Sequence, residues 1–164
     1  MKTRGLLVLV TVMSLLLLTP EVFGGPREHL RGLKGVYVDI EGLKEDMEKD
    51  GLTKLQVKTD VELRLRKAGI KVLTKEELPL PKEYAVLFVN INSAKMSDSY
   101  AFNCSLEVMQ AAKLLRDPEI TGPFITWTKL DTGYTPKDNL RLIREALADQ
   151  VDQFINDYLT VNPK

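Results

Sequence analysis

Asp39 and Glu41 stand two residues apart in Val36-Tyr37-Val38-Asp39-Ile40-Glu41, a run in which apolar and polar side chains alternate. On a strand that spacing sends both carboxylates out of one face. Paired acids are the working groups of glycoside hydrolysis, and Asn90 and Asn92, equally spaced in Val89-Asn90-Ile91-Asn92, would lie beside them on a neighbouring strand. A glycosidase holds its acids across a cleft, however, and a flat sheet face offers none. A carboxylate-dependent hydrolase therefore requires Asp39 and Glu41 to share a concave site that raises their proton affinity.

Little else in the chain can do covalent chemistry. No Gly-rich phosphate loop, HExxH, CxxC or Gly-x-Ser-x-Gly elbow occurs, and the chain has one histidine and one cysteine. Histidine-based triads and metal sites needing several His or Cys ligands are thereby excluded, and no cofactor is expected. His29 falls in a Gly- and Pro-initiated segment without periodicity, 25–32, which reads as a flexible arm unable to hold a general base in place. Cys104 has no partner for an intrachain disulfide. Alternation puts it on the face of Tyr100, Phe102 and Leu106, where it reads as a buried thiol behaving as a small hydrophobe.

The first 24 residues carry an address. Lys2 and Arg4 precede an apolar run from Leu6 to Leu18, and Val22-Phe23-Gly24 offers a cleavage site. The run is shorter than the roughly 20 residues of a spanning helix, so a cleaved signal peptide is expected, with a mature protein in the periplasm or secreted and without a membrane span. No cysteine stands where a lipoprotein would need one. Without Lys2, Arg4 and Glu21, the 23 basic and 23 acidic residues become 21 and 22. So small a net charge on an exported chain argues against nucleic acid as a partner.

The best-marked element begins at Thr53. Thr53 and Gln56 form a capping box, with Leu52 and Val57 as its hydrophobic staple. Gly69 supplies the left-handed residue of a Schellman stop, and Ile70 to Leu73 leaves at once as a strand. The apolar residues of this helix fall on two sides, Val57, Val61, Leu65 and Ala68 against Leu52, Leu55 and Leu63, which predicts two neighbours. Before it come a strand over 33–41 and a charged connection over 42–50. After it come a capped turn at 74–77, strands over 84–92 and from Tyr100 onward, and a strand over 124–130. The stretch 107–116 is rich in helix formers but is read as strand, with Asp117-Pro118 and Gly122-Pro123 punctuating a hairpin. A last helix, capped by Thr135 with Pro136 in its first turn, buries Leu140, Ile143, Leu147, Val151, Phe154 and Tyr158. Asp149, Asp152 and Asp157 crowd its C-terminal half, where the helix dipole disfavours them.

This order predicts one α+β domain over 33–164. It is a two-layer sandwich in which a five-stranded mixed sheet, order 2-1-3-4-5, carries two helices on one face. The segments 61–70, 89–92 and 151–164 resemble a family of uncharacterised exported bacterial proteins, and the order of elements is similar to the N-terminal domain of TolB and to the envelope proteins LpoB and CsgG. That likeness implies a binding or assembly module and brings no activity with it. On the bare sheet face the pattern places Tyr37, Asp39, Glu41, Phe88, Asn90, Asn92, Asn103, Ser105 and Glu107. Amides and aromatics on a rigid platform suit another envelope protein, or a second copy, better than a substrate. A small ligand-binding module is the alternative and needs a pocket between sheet and helices.

Overall fold

Four long stretches of period-two alternation and two of helical period give one sheet and one helical layer. The computed structural model describes residues 26–163, so the expected signal segment, 1–24, lies outside it. The strands are β1 (Gly35–Glu41), β2 (Lys71–Leu73), β3 (Tyr84–Lys95), β4 (Ser99–Leu114) and β5 (Asp117–Pro136), and the helices are α1 (Glu45–Lys49), α2 (Lys54–Lys67) and α3 (Arg141–Val161). The sheet order is β2-β1-β3-β4-β5, as the sequence predicts; β1 runs parallel to both β2 and β3, and β3, β4 and β5 are antiparallel in turn.

The core occupies a single side of this sheet. Val36, Val38 and Ile40 of β1, Leu87, Val89 and Ile91 of β3, and Cys104, Leu106 and Val108 of β4 are buried against Val57, Val61 and Leu65 of α2 and Ile143, Leu147, Val151 and Phe154 of α3. The six apolar residues assigned to the last stripe are all buried. The stretch 107–114 is strand: Glu107 pairs with Phe88 and Thr128, and Met109 with Val86 and Ile125. Tertiary pairing overrides the helix propensity of Ala111, Ala112 and Lys113.

The α2 ends are built as read. The Thr53 hydroxyl accepts the Gln56 N–H at 3.2 Å and the Gln56 side chain accepts the Thr53 N–H at 3.0 Å. Gly69 has φ +79°, and the N–H groups of Ile70 and Gly69 donate to the carbonyls of Leu65 and Arg66. These are the two bonds of a Schellman stop.

Five expectations are corrected. The segment at 26–32 is not a loose arm. Pro26–Leu30 is a 3-10 turn with Leu30 fully buried, and Asn162 ties it down by accepting from Gly32 and donating to the Leu30 carbonyl. The charged connection at 42–50 contains α1, which inserts Met47 into the core and adds a third helix. α2 has its two expected neighbours, the sheet beneath and α3 beside it, but Leu55 meets neither and is 76% exposed. Thr135 and Pro136 do not start α3. Thr135 is a buried strand residue opposite Tyr100, its hydroxyl donates to the Asn139 carbonyl, and the helix begins only at Arg141. Finally, Pro118 and Pro123 do not bound β5 but lie inside it, the hairpin turning instead at Leu115 and Arg116. An edge strand tolerates proline where the missing N–H would have pointed to solvent.

Candidate binding face

The register of the sheet sorts the nine candidate residues into rows on the side away from the helices. Tyr37 aligns with Val86, Met109 and Ile125; Asp39 with Phe88, Glu107 and Thr128; Glu41 with Asn90, Ser105 and Leu130; and Asn92 with Asn103 and Thr132. All nine therefore share the face opposite the core. Short contacts knit its centre. Asn92 donates to the Asn90 side chain at 3.2 Å, Asn103 to the Thr132 hydroxyl at 3.2 Å, and Ser105 to Glu107 at 2.8 Å. The Ser105 hydroxyl is buried by its taller neighbours and offers little to a partner.

One end of the face is covered. The unit β1-α2-β2 is a right-handed crossover with its helix on the core side, so the return from β2 past β1 to β3 keeps that hand only by crossing the other side. Residues 74–83 make this crossing. Lys71, aligned with Gly35 and Tyr84, reaches Glu77 at 3.2 Å and sits 5.2 Å over the Tyr84 ring. The Glu77 carboxyl is held below its usual range by the Thr74 N–H and then by Lys71. Tyr37 is next to this cover, with the Lys58 ammonium 4.9 Å above its ring. The free part of the face thus runs from Asp39, Glu41, Phe88, Asn90 and Asn92 across Asn103 and Glu107 towards β5.

Gly42 closes the far end of β1. With φ +76° it turns the chain across β3 so closely that a Cβ there would lie 2.5 Å from Asn90 Oδ1 and 2.8 Å from the Ile91 carbonyl. The turn holds Asn90 in place, and only glycine fits it.

Sequence reasoning missed the outer column of this face, Thr128, Leu130, Thr132 and Tyr134 on β5. Leu130 is 58% and Tyr134 59% exposed, and Ile125 adds to them beyond a bulge opposite Val108 and Met109. The alternation at 128–134 is legible, but Lys129, Asp131 and Gly133 occupy the positions facing the core side, where apolar residues mark a buried strand.

The other candidate groups lie on the helix side. Cys104 is buried, and burial, followed by the charge of Asp131, pushes its thiol up to about 11. Gln150, also buried, donates to the Cys104 carbonyl at 3.1 Å and to Asp131 at 2.8 Å, pinning α3 to β4 and β5. His29 shares a 2.8 Å hydrogen bond between Nδ1 and the Thr126 carbonyl. Two acids of α3 have partners that justify their position, since Asp152 takes both hydrogen bonds of Arg64 at 2.9 Å and Asp157 accepts from Trp127 Nε1 at 3.0 Å. A groove of about 500 Å3 follows the seam between α2 and α3, floored by Val57, Val61, Leu147 and Val151. The Arg64–Asp152 pair and the 2.7 Å Arg144–Asp60 pair span the two helices beside it. This groove is not between sheet and helices, and neither Asp39 nor Glu41 lines it.

No family model and no curated protein matches the chain. Rare lipoprotein B from Shewanella oneidensis, a crystal structure, is a weak neighbour. It has a TM-score of 0.36 and 13% identity, over 77% of this chain and 96% of that chain. So slight an overlap says nothing about partner or activity. Among the described residues, no helix is long and apolar enough to cross a membrane.

Proposed function

We propose that this is an exported, non-enzymatic envelope module that binds another protein through the open face of its sheet. The observation that carries the reading is the one-sidedness of the fold, in which the fully buried apolar strand residues face the helices while Phe88, Leu130 and Tyr134 stand among amides and hydroxyls on the other side. A rigid platform with a few large side chains in a polar surround has the composition of a transient protein interface. Catalysis by Asp39 and Glu41 has less support. They project from a sheet face that lacks a concave wall, and the Asp39 carboxylate accepts the Ile40 N–H at 3.0 Å. The ligand-binding alternative would have to use the seam between α2 and α3, because the layer interface is filled by Leu65, Leu87, Leu106 and Phe154.

Site-specific photo-crosslinking in intact cells tests the proposal. A photoreactive residue at Asn92 or Thr132 is expected to capture one defined protein, with no such product from Arg141 or Glu145 on the exposed side of α3. Capture from α3 but not from the sheet overturns the assignment of the face.

A further inference from the structure

β5 forms one border of the sheet, and its outer side has no strand partner among the described residues. His29 occupies the Thr126 carbonyl at one end, and at the other Thr135 bonds to the Asn139 carbonyl with Pro136 following. The free edge is thus 127–134, Trp127-Thr128-Lys129-Leu130-Asp131-Thr132-Gly133-Tyr134. Exposed edges of this length invite pairing, and single-sign charges along them are a common protection. Here the charges have opposite signs and stand symmetrically about Leu130.

That symmetry identifies an occupant. If a second copy of the strand pairs antiparallel with a two-fold axis at Leu130, Lys129 of each copy faces Asp131 of the other, giving two ion pairs. Thr128 faces Thr132 twice, and Leu130 meets Leu130 on the open face. Trp127 is buried in its own core against Phe154, and the Phe102 ring covers Gly133, so at these outermost positions the seam rests on the backbone alone. The Lys–Asp and Thr–Thr oppositions are favourable cross-strand pairs, and the two-fold axis makes each of them twice. Moving the dyad by one residue, onto Lys129 or Asp131, sets that charge against its own copy and separates the leucines.

We propose that the protein self-associates through β5, joining two sheets edge to edge into one ten-stranded sheet with its dyad at Leu130. The seam is made by the backbone edge but shares Thr128, Leu130 and Thr132 with the outer column of the open face, so a crosslink from Asn92 on β3, which the seam does not touch, reports on the face alone. The dimer would set two open faces side by side.

Cysteine pairing and charge reversal test it on the purified protein, whose Cys104 is buried and silent. Directly opposed residues on antiparallel strands have Cβ atoms about 4.5–5.5 Å apart, close enough for a disulfide with slight adjustment. L130C is expected to give a covalent dimer under mild oxidation. T128C and T132C are expected to crosslink when mixed and not when oxidised separately. Sedimentation equilibrium is expected to show K129D weakening association by roughly tenfold, from two like-charge oppositions, and K129D/D131K recovering most of it. Circular dichroism checks that each variant is folded. A monomer at every concentration without an L130C crosslink overturns the proposal. So does a dimer indifferent to K129D, or an L130C that crosslinks only to a different protein in cell extract.

Discussion

Asp50 shows how a single side chain joins distant parts of the chain. Its carboxylate accepts from Lys95 Nζ at 2.8 Å and from the buried Tyr100 hydroxyl at 2.7 Å, tying the end of α1 to β3 and β4. Lys95 and then Tyr100 hold the Asp50 carboxyl below its usual range. A folded-state value depressed below the unfolded one contributes stability that is present above about pH 4 and is lost as pH falls through the folded-state value. Replacing Asp50 with Asn is therefore expected to flatten the acid limb of a urea-denaturation series below about pH 4, with little change in its slope near neutrality. An acid limb identical to that of the parent would show that the Lys95 and Tyr100 contacts do not persist in solution. Gly69 is a second such position. At φ +79° an added Cβ is strained, and Gly69→Ala should cost about 1 kcal/mol or more, read as a lower urea midpoint at unchanged m-value.

Among the elements, what could be read in advance was what local chemistry specifies. The Thr53 capping box, the Gly69 stop and the alternation of β1, β3 and β4 are written within a few residues of where they act, and all stand as read. The misreadings depend on contacts made far away in sequence. Thr135-Pro136 resembles a helix start until β4 claims Thr135 opposite Tyr100. The segment 26–32 looks loose until Asn162, over a hundred residues later, closes on it. The candidate face was legible as a set of alternate residues, because parity alone assigns side, whereas its cover at 74–83 follows from crossover handedness and its β5 column from a strand whose inner positions are polar. The docked 3-10 turn makes a prediction of its own. Leu30→Ala removes a fully buried side chain and should destabilise the protein by about 2–5 kcal/mol. A loss below about 0.5 kcal/mol in chemical denaturation would return the segment to a loose arm.

Taken whole, the molecule buries one side of its sheet and leaves the other open, and the division can be measured on one strand. Ile91 and Asn92 are neighbours on β3, the first fully buried under the helices and the second exposed on the open face. Burial on one side alone means that stability should be sensitive to every other residue. Ile91→Ala leaves a cavity against Cys104 and the helical layer and is expected to cost about 2–5 kcal/mol, whereas Asn92→Lys should stay within about 0.5 kcal/mol of the parent. If the open face is the binding surface, the same pair should sort oppositely by function. Asn92→Lys sets a long cation among Asn90, Asn103 and Thr132, so it should abolish the crosslink captured from Thr132 while leaving the melting temperature almost unmoved. Ile91→Ala, assayed below its lowered melting temperature, should keep that crosslink. A partner lost equally from both variants would mean that binding reads the stability of the fold and not the chemistry of its exposed side.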